Sequence, residues 1–463
     1  MRTMVRSLCL WVGVLLACAA CHSPAVAPIG DGGIGDTAGD AGSDDLLDAD
    51  TGFGDLFDAD TGNGDLFDVL PEDCESDDAL PTSCEELGYS FGGELLYTRD
   101  CRVDERRCRR IVSIAAGASH TCAVLADGRL LCWGENGSGQ LGNGVNSYDP
   151  VPEPQEVVGL TGVVQVACTE HRTCALTGAG QMYCWGMNSH GTLGSGTSES
   201  YAFSPVLVPD LSDVVGLTLG DWHTCAVLLD GTVRCWGNNG TGSLGDGTRE
   251  DSTTPVTVLG ITTAVFIEAA LGHTCAILAD RTVRCWGRNV TGTLGDGTTM
   301  DRLIPVVAEN LSEVVSLSAW GLNNVAVVEG GRVFGWGGYD EVMLPEDPTL
   351  YVTIPIENPY VEDAAGVATG WLHACVLLAD GTVGCWGRSS EGQLGSGSLS
   401  ELPAPVMITG ISEAKMIASG RSHICALVQQ GKKILCWGLG DDGQLGKKFF
   451  EFPHDASPLE IVP

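Results

Sequence analysis

Basic residues are scarce in this sequence. The 463 residues include 24 Lys and Arg but 60 Asp and Glu, which gives a formal net charge of −36 at pH 7. Nucleic-acid binding depends on cationic side chains that neutralise phosphates, and the chain has no basic arm. We therefore expect no nucleic-acid partner.

Long apolar runs are also missing. The run LCLWVGVLLACAAC follows MRTMVRS, which carries two arginines, and it is too short for a membrane span of about 20 residues. We predict a lipoprotein-type export signal over 1–21. The box LLAC ends at Cys18 and a looser AAC box ends at Cys21, so either cysteine is the predicted lipidation site. Simple secretion is the alternative.

Recognisable reaction motifs are absent too. No nucleophile elbow, HExxH helix or phosphate loop stands out. We therefore predict no catalytic residue, no cofactor and no metal site, and we expect a protein that is not an enzyme. An enzyme whose site is built from several repeats remains an alternative.

Residues 22–73 contain fourteen Asp and Glu and no Lys or Arg. Alternating Asp invites a calcium interpretation, but Asp48-x-Asp50-x-Gly52 places glycine where an EF-hand loop needs an oxygen ligand. Segments this acidic and poor in apolar residues do not bury a core. We predict a disordered acidic tether, with weak calcium attraction left open.

Residues 74–110 form a small module with four cysteines, at Cys74, Cys84, Cys101 and Cys108. Four cysteines allow three pairings, and the sequence does not choose among them. A segment this short needs disulfides to hold it together. Its function is not predicted.

A Trp-Gly pair recurs every 50 to 52 residues from 111 to 463, and its period indicates a repeat architecture. Each unit holds four short runs rich in Val, Leu and Thr, separated by Gly, Pro and Asp. We predict an all-β, seven-bladed propeller, monomeric, with one tryptophan packed in each blade. The seven tryptophans are Trp133, Trp185, Trp236, Trp286, Trp336, Trp386 and Trp437.

Two cysteines lie symmetrically about Asp127, which predicts a three-residue hairpin loop that ends at Gly128. Arg281 replaces this glycine in the fourth unit, so we expect strain or another turn there. The register sets the cysteines of each hairpin opposite each other and predicts six disulfides. A metal site is the rival, because a histidine often precedes the first cysteine. The predicted pairs are Cys122–Cys132, Cys174–Cys184, Cys225–Cys235, Cys275–Cys285, Cys375–Cys385 and Cys425–Cys436.

The chain ends with SPLEIVP, a Pro-led strand with no hairpin after it, whereas the first unit begins without such a strand. We expect the terminal strand to complete the first blade and close the ring.

The phrases HTCAVLADGRLLCWGENGSGQLGNG and HACVLLADGTVGCWGRSSEGQLGSG resemble the regulator of chromosome condensation repeat. The resemblance covers 111–463 and implies a seven-bladed propeller. The fifth unit lacks the histidine, both cysteines and G-x-L-G, through specialisation or through drift. Chromatin binding, known in the family, conflicts with the charge of this chain, and we assign the repeated tryptophans to packing rather than to ultraviolet sensing.

A histidine recurs near the same place in six units, which indicates a structural hydrogen bond rather than catalysis. The loop ahead of it varies, and three copies carry tryptophan, a residue enriched at binding hot spots. Capping of each blade's own apolar edge is the alternative. The histidines are His120, His171, His223, His273, His373 and His423. The predicted binding face comprises Trp222, Trp320, Trp371, Tyr339 and Arg421.

These features together predict a bacterial cell-envelope lipoprotein, at the outer membrane or cell surface, with the periplasmic side also open. Its propeller presents a protein-binding face, or a glycan-binding one. The alternatives are an inhibitor of an exported enzyme and an enzyme with a site in the central channel.

Overall fold

The computed structural model describes residues 66–67, 81, 83–98, 103–338, 351–447 and 454–461. The predicted signal with Cys18 and Cys21, nearly all of the tether, and Tyr339 lie outside these residues. Within the described part, no helix combines the length and apolar character that a membrane crossing requires. The fold is all-β, and its main body is seven four-stranded antiparallel sheets.

Each sheet is one blade built from four consecutive strands, called strands 1 to 4. Blade 1 comprises Ile111–Ala116, His120–Leu125, Leu130–Asn136 and Ser147–Glu156; blade 2 comprises Val163–Cys168, Arg172–Thr177, Met182–Met187 and Tyr201–Leu207; blade 3 comprises Val214–Leu219, His223–Leu228, Val233–Gly237 and Ser252–Thr257. Blade 4 comprises Ala264–Ala269, His273–Leu278, Val283–Gly287 and Arg302–Val307; blade 5 comprises Val314–Trp320, Asn323–Val328, Val333–Gly337 and Val352–Glu357. Blade 6 comprises Ala364–Thr369, His373–Leu378, Val383–Gly387 and Leu402–Met407; blade 7 comprises Met416–Ser419, His423–Val428, Lys433–Leu439 and His454–Glu460.

The first strands of neighbouring blades contact one another all the way round, including blade 7 with blade 1. They therefore surround the axis, and strands 4 form the outer wall. Apolar clusters fill each gap between two blades, so the core is a ring of seven interfaces rather than one central mass.

Our expectation for ring closure is wrong. The terminal strand His454–Glu460 pairs with Lys433–Leu439 of blade 7, and blade 1 owns its fourth strand, Ser147–Glu156. Each Pro-led strand pairs with the Trp-Gly strand before it rather than opening the next unit. A repeat has no inherent starting point, so the sequence pattern fits either phase.

The seven Trp-Gly tryptophans are fully buried at the blade interfaces. Six indole Nε1–H groups donate to a backbone carbonyl of the preceding blade over 2.9–3.0 Å. Each acceptor belongs to the second residue of a G-x-L-G motif, such as Gln140 for Trp185. The last glycine of that motif, Gly142, lies so close that an added Cβ would be 2.5 Å from the Trp185 ring. The motif is thus the socket for the next blade's tryptophan.

The hairpin and disulfide predictions are confirmed. Gly128 has φ 83°, its N–H donates to Leu125 O over 2.9 Å, and Cys122 pairs with Cys132 across the strands. All six predicted disulfides form, with Cα atoms 4.1 Å apart. Arg281 adopts the same turn at φ 62°, so the fourth blade keeps the geometry and carries the strain.

The small module also has a disulfide, between Cys84 and Cys108; Cys74 and Cys101 lie outside the described residues. Its sheet orders the strands Leu66–Phe67, Leu96–Thr98 and Val103–Asp104. The first of these strands falls inside the range that we assigned to the tether. Tyr89 and Tyr97 form a small buried cluster with the disulfide, so the module has a core of its own.

Candidate functional site

Two sets of variable loops open on one side of the ring, which we call the top face. They are the loops between strands 1 and 2 and between strands 3 and 4, because antiparallel strands place these connections at the same end. The Asp-Gly hairpin turns lie on the opposite, bottom face. The top-face loops hold both the repeated histidines and the predicted binding residues.

The histidines are structural, as predicted. Five of them are fully buried at the start of strand 2, and burial lowers their pKa values to about 3 for His120, His223, His373 and His423 and about 4 for His273. These imidazoles are neutral at pH 7.

Each of these histidines joins its blade to the next one. His120 Nε2 lies 2.9 Å from Thr173 Oγ1, and the Thr173 hydroxyl donates to Gln140 O over 2.7 Å. Because the hydroxyl has one proton and gives it to the carbonyl, the imidazole must be the Nε2–H tautomer. The same carbonyl accepts the Trp185 indole. Equivalent contacts link His423 to Thr121 across the junction of blades 7 and 1.

The assignment of His171 to this layer is wrong. Gly186 on strand 3 pairs with Arg172, just as Gly134 pairs with His120, so Arg172 occupies the histidine place in blade 2. Its Nη atoms donate to three carbonyl oxygens of blade 3, over 2.6–3.2 Å. Burial lowers the pKa of Arg172 to about 10. The available signal was the spacing to the following cysteine. Arg172 stands two residues before Cys174, as His120 stands before Cys122, whereas His171 stands three residues before it.

Asn323 takes the histidine place in blade 5. It is buried, and its Nδ2 donates to Trp371 O over 3.4 Å. The fifth blade therefore keeps an inter-blade donor although it has lost the imidazole.

One residue from each loop between strands 1 and 2 holds an equivalent position on the top face. Backbone bonds connect this position to the next blade, for example Ala118 N–H to Thr169 O and Arg421 N–H to Gly117 O. We call the seven residues the mouth ring. They are Ala118, Glu170, Asp221, Leu271, Gly321, Trp371 and Arg421.

Arg421 is the centre of the strongest cluster in the mouth ring. Its guanidinium carbon lies 5.1 Å from the centroid of the Trp371 ring, and its Nη1 lies 3.6 Å from Glu170 Oε1. Blade 1 separates blades 2 and 7, and Ala118 is small enough for Glu170 and Arg421 to meet over it. Trp371 is 43% exposed, so the cluster presents an aromatic face, a cation and a carboxylate to solvent.

The neighbouring sector, formed by loops of blades 7, 1, 2 and 3, is acidic. Burial, and secondly Glu170, raise the pKa of Asp221 to about 6. Burial also raises the pKa of Glu135, against the opposing influence of His171, and the pKa of Asp442. These shifts mean that nearby cations do not fully balance the carboxylates.

Trp222 and Trp320 of the predicted face do not belong to this cluster. Trp222 is 44% exposed but lies at the edge of His190, with ring centroids 6.1 Å apart. Trp320 is partly buried at the end of strand 1 of blade 5. The cluster thus contains Trp371 and Arg421 of the prediction, and adds Glu170, which the prediction did not include.

One group of possible metal ligands occurs among the described residues, namely His120, Cys122 and Cys168. Cys122 is in a disulfide and therefore offers no thiolate, and His120 Nε2 is bonded to Thr173. Burial raises the pKa of the unpaired Cys168 thiol. The set does not have the chemistry of a metal centre.

Two sequence models described as the regulator of chromosome condensation (RCC1) repeat match the chain. One matches 111–140, 163–192, 214–243, 365–393 and 415–444, and the other matches 127–176, 179–227, 230–278 and 380–427. Together they span 111–278 and 365–444, more than half of the chain. The part between them includes the whole of the degenerate fifth blade.

Among characterised proteins, the chain is similar to the ultraviolet-B receptor UVR8 of Arabidopsis thaliana, with 36% identity over 152 residues, which are 32% of this chain and 34% of that protein. It is also similar to the mitochondrial RCC1 domain-containing protein RUG3 of the same plant, with 34% identity over 182 residues, or 37% of this chain and 41% of that one. The matched region thus spans about two fifths or less of these relatives.

Solved structures share the fold. Human WBSCR16 superposes with a TM-score of 0.66 at 21% identity, over 72% of this chain and 95% of that one. Prp20p of Saccharomyces cerevisiae, whose structure was reported with its binding properties to Gsp1p and histones, gives 0.64 at 21% identity, over 76% and 87%.

Proposed function

Because the chain belongs to the regulator of chromosome condensation (RCC1) repeat family, we propose that it is a non-catalytic binding propeller whose top face takes a protein partner. We place the contact at the mouth ring, with Trp371 and Arg421 at its centre. The finer assignment is to an exported lipoprotein of the cell envelope.

The observation that carries this proposal is the exposed stack of Arg421 on Trp371 beside Glu170. Tryptophan and arginine are the residue types most enriched at interaction hot spots, because they bury a large area and still offer polar atoms. A pre-stacked pair loses little side-chain freedom on binding. No other mouth-ring position among the described residues combines an exposed indole with a cation.

The acidic sector supports a partner with a basic segment. Glu135, Asp221 and Asp442 have raised pKa values. A cation that approaches these carboxyl groups would stabilise their ionised form and would itself be attracted. On the other half of the mouth ring, Leu271 and Trp371 offer apolar surface. A segment with Lys or Arg next to apolar side chains complements both halves.

A binding role fits the histidines better than catalysis does. A general base needs a free, singular imidazole with a pKa near the working pH, whereas the five buried imidazoles are bonded between blades and have pKa values of about 3 to 4. Asp221, with a pKa of about 6, is the group that an enzyme would use. If the chain is an enzyme, Asp221→Asn abolishes activity; if it is a binding module, Asp221→Asn only weakens the complex.

An extracytoplasmic location is supported by the disulfides. Six hairpins and the small module carry them, and such bonds persist in oxidising compartments. The lipid anchor rests on the LLAC and AAC boxes at Cys18 and Cys21. Labelling the expressing cells with an alkyne fatty acid tests it: the label should be lost in a Cys18→Ala, Cys21→Ala variant, and an unlabelled parent would remove the anchor.

Site-specific cross-linking tests the face. A photo-reactive phenylalanine analogue placed at Trp371 in the full chain should cross-link to a protein in intact cells, whereas the same group at Leu229, 72% exposed on the bottom face, should not. Equal cross-linking from both positions would reject the assigned face. Loss of an exported enzyme's activity in the presence of the purified chain would identify the partner as an inhibited enzyme.

A further inference from the structure

The ring has one junction that the chain does not span. Linkers join blade 1 to blade 2 and so on to blade 7, but within the described residues no linker joins blade 7 to blade 1, and no sheet shares strands between them. Opening this junction therefore releases two blade faces without stretching any connection. We call it the seam.

Phe91 of the small module fills the apolar layer of the seam. It is 2% exposed, and its cluster includes Ile111 and Ile114 of blade 1 together with Ile434 and Ile461 at blade 7. One side chain from outside the propeller therefore packs against both blades that meet there.

Polar contacts hold the module to the outer part of blade 7. Ser90 N–H donates to Lys432 O over 3.0 Å, and the Ser90 hydroxyl donates to Glu460 Oε1 over 2.6 Å. Glu460 belongs to the terminal strand and also pairs with Lys433 at 3.1 Å. Through Ser90 the module thus binds the fourth strand of blade 7, His454–Glu460.

The hairpin loop of blade 7 differs from the others in a way that serves this contact. Its cysteines are 11 residues apart rather than 10, and Gln429 and Gln430 both adopt positive φ. The loop leads into Lys432, whose Nζ lies 4.4 Å from the Tyr89 ring centroid and 3.3 Å from Leu87 O. The hairpin loop that is one residue longer is therefore the one that contacts the module.

On its other side the module is fixed to blade 1. It runs directly into Ile111, and Ala126 N–H of blade 1 donates to Arg110 O of the module over 2.7 Å. Within the module, Arg109 N–H donates to Gly92 O over 2.8 Å. The Cys84–Cys108 disulfide locks the segment that carries Tyr89, Ser90 and Phe91.

From this geometry we infer that the seam is a docking surface whose occupant is the chain's own module, residues 84–110, and that the module is the clasp that keeps the ring closed. The module stabilises the junction of blades 7 and 1, which in a propeller closed by its termini is held by a blade that contains strands from both ends of the chain.

Hydrogen exchange of the full chain tests the clasp. Phe91→Ala should speed amide exchange in Ile111–Ala116 and His454–Glu460 by about tenfold or more, while Val214–Leu219, at the junction of blades 2 and 3, stays unchanged. Leu217→Ala, which removes a buried residue from that other junction, is the matched control and should give the reverse pattern.

Ser90→Ala leaves the apolar layer intact and covers the case in which Phe91→Ala does not fold. It should speed exchange in the same two seam strands, by a smaller factor. Faster exchange spread evenly over all blades, or unchanged exchange at the seam in both variants, would overturn the clasp.

Discussion

At the scale of single residues, one side chain per blade carries the link to the next blade. His120, Arg172 and Asn323 show three solutions at the same place. All three are donors, and all bond to the following blade. The place requires a buried donor of suitable length rather than an imidazole, which explains why its loss in blades 2 and 5 is tolerated.

Arg172→Leu should lower the free energy of unfolding by about 2–4 kcal/mol, because three carbonyl oxygens of blade 3 each lose a hydrogen bond from a charged donor. Arg172→His should cost less than half of that, since Thr224 stands where Thr173 meets His120 and can accept from an imidazole. Urea unfolding at pH 7 measures both. Equal losses in the two variants would contradict the donor role.

Glu268 is a second residue with a measurable signature. Burial raises its carboxyl pKa to about 8, although the carboxyl accepts Ala319 N–H. The folded state thus holds a proton that the unfolded state releases near pH 4.5, so this group lowers stability as pH rises from about 4.5 to 8.

Glu268→Gln should remove this dependence and raise stability at pH 8 by about 1 kcal/mol, a modest figure because part of the side chain reaches solvent. Unfolding free energies at pH 5 and pH 8 give the comparison. A variant that gains nothing at pH 8 relative to pH 5 would show that the carboxyl is ionised in the fold. Glu362→Gln, at an exposed position, serves as the control.

At this scale the sequence predicted the role of the histidines but misplaced one of them. A shift of one residue along a strand turns a side chain to the opposite face, so taking His171 for Arg172 exchanges a partly buried position for a buried one. Glu170 and Arg421 meet across blade 1, 251 residues apart in the chain. Only the closed ring brings them together, and no local pattern encodes that contact.

At the scale of elements, the blade is a self-contained unit. Its four strands are consecutive, a disulfide fixes the central hairpin in six cases, and the G-x-L-G loop receives the next tryptophan. The hairpins, the disulfides and the tryptophan packing were all predictable, because each depends on residues a few positions apart. The sequence did not predict which Trp-Gly strand the fourth strand pairs with, because the Trp-Gly strands of the preceding and the following repeat present the same free edge.

The fifth blade offers a test of the hairpin register. Val325 pairs with Gly335 where the other blades have cysteines. Val325→Cys, Gly335→Cys should form a seventh hairpin disulfide, which non-reducing peptide mapping would detect, and should stabilise the blade by about 2–3 kcal/mol. The single variants are the controls. Two free thiols in the double variant would contradict the register.

At the scale of the whole molecule, the buried imidazoles act together. Their folded pKa values of about 3 to 4 lie below the 6.5 of a free imidazole. The unfolded chain therefore binds more protons below pH 6.5, so stability falls as pH drops from about 6.5 towards 3.

Replacing one imidazole by the residue that blade 5 uses, in His223→Asn, should reduce the proton uptake on unfolding by close to one between pH 4.5 and 6. The slope of unfolding free energy against pH reports it. An unchanged slope would mean that the imidazole is already charged in the fold.

The ring also brings opposite chemistries onto one face, with carboxylates on loops of blades 7, 1, 2 and 3 and apolar side chains over blades 4 to 6. The proposed function rests on that arrangement. Its most direct test is the affinity of the protein cross-linked at Trp371, measured by titration against the full chain. Trp371→Ala, Arg421→Ala should weaken binding at least about 100-fold, as the loss of two hot-spot side chains does. Leu229→Ala, Asp230→Ala, on the bottom face, should leave it unchanged. Equal affinities for both double variants would contradict a binding site at the mouth ring.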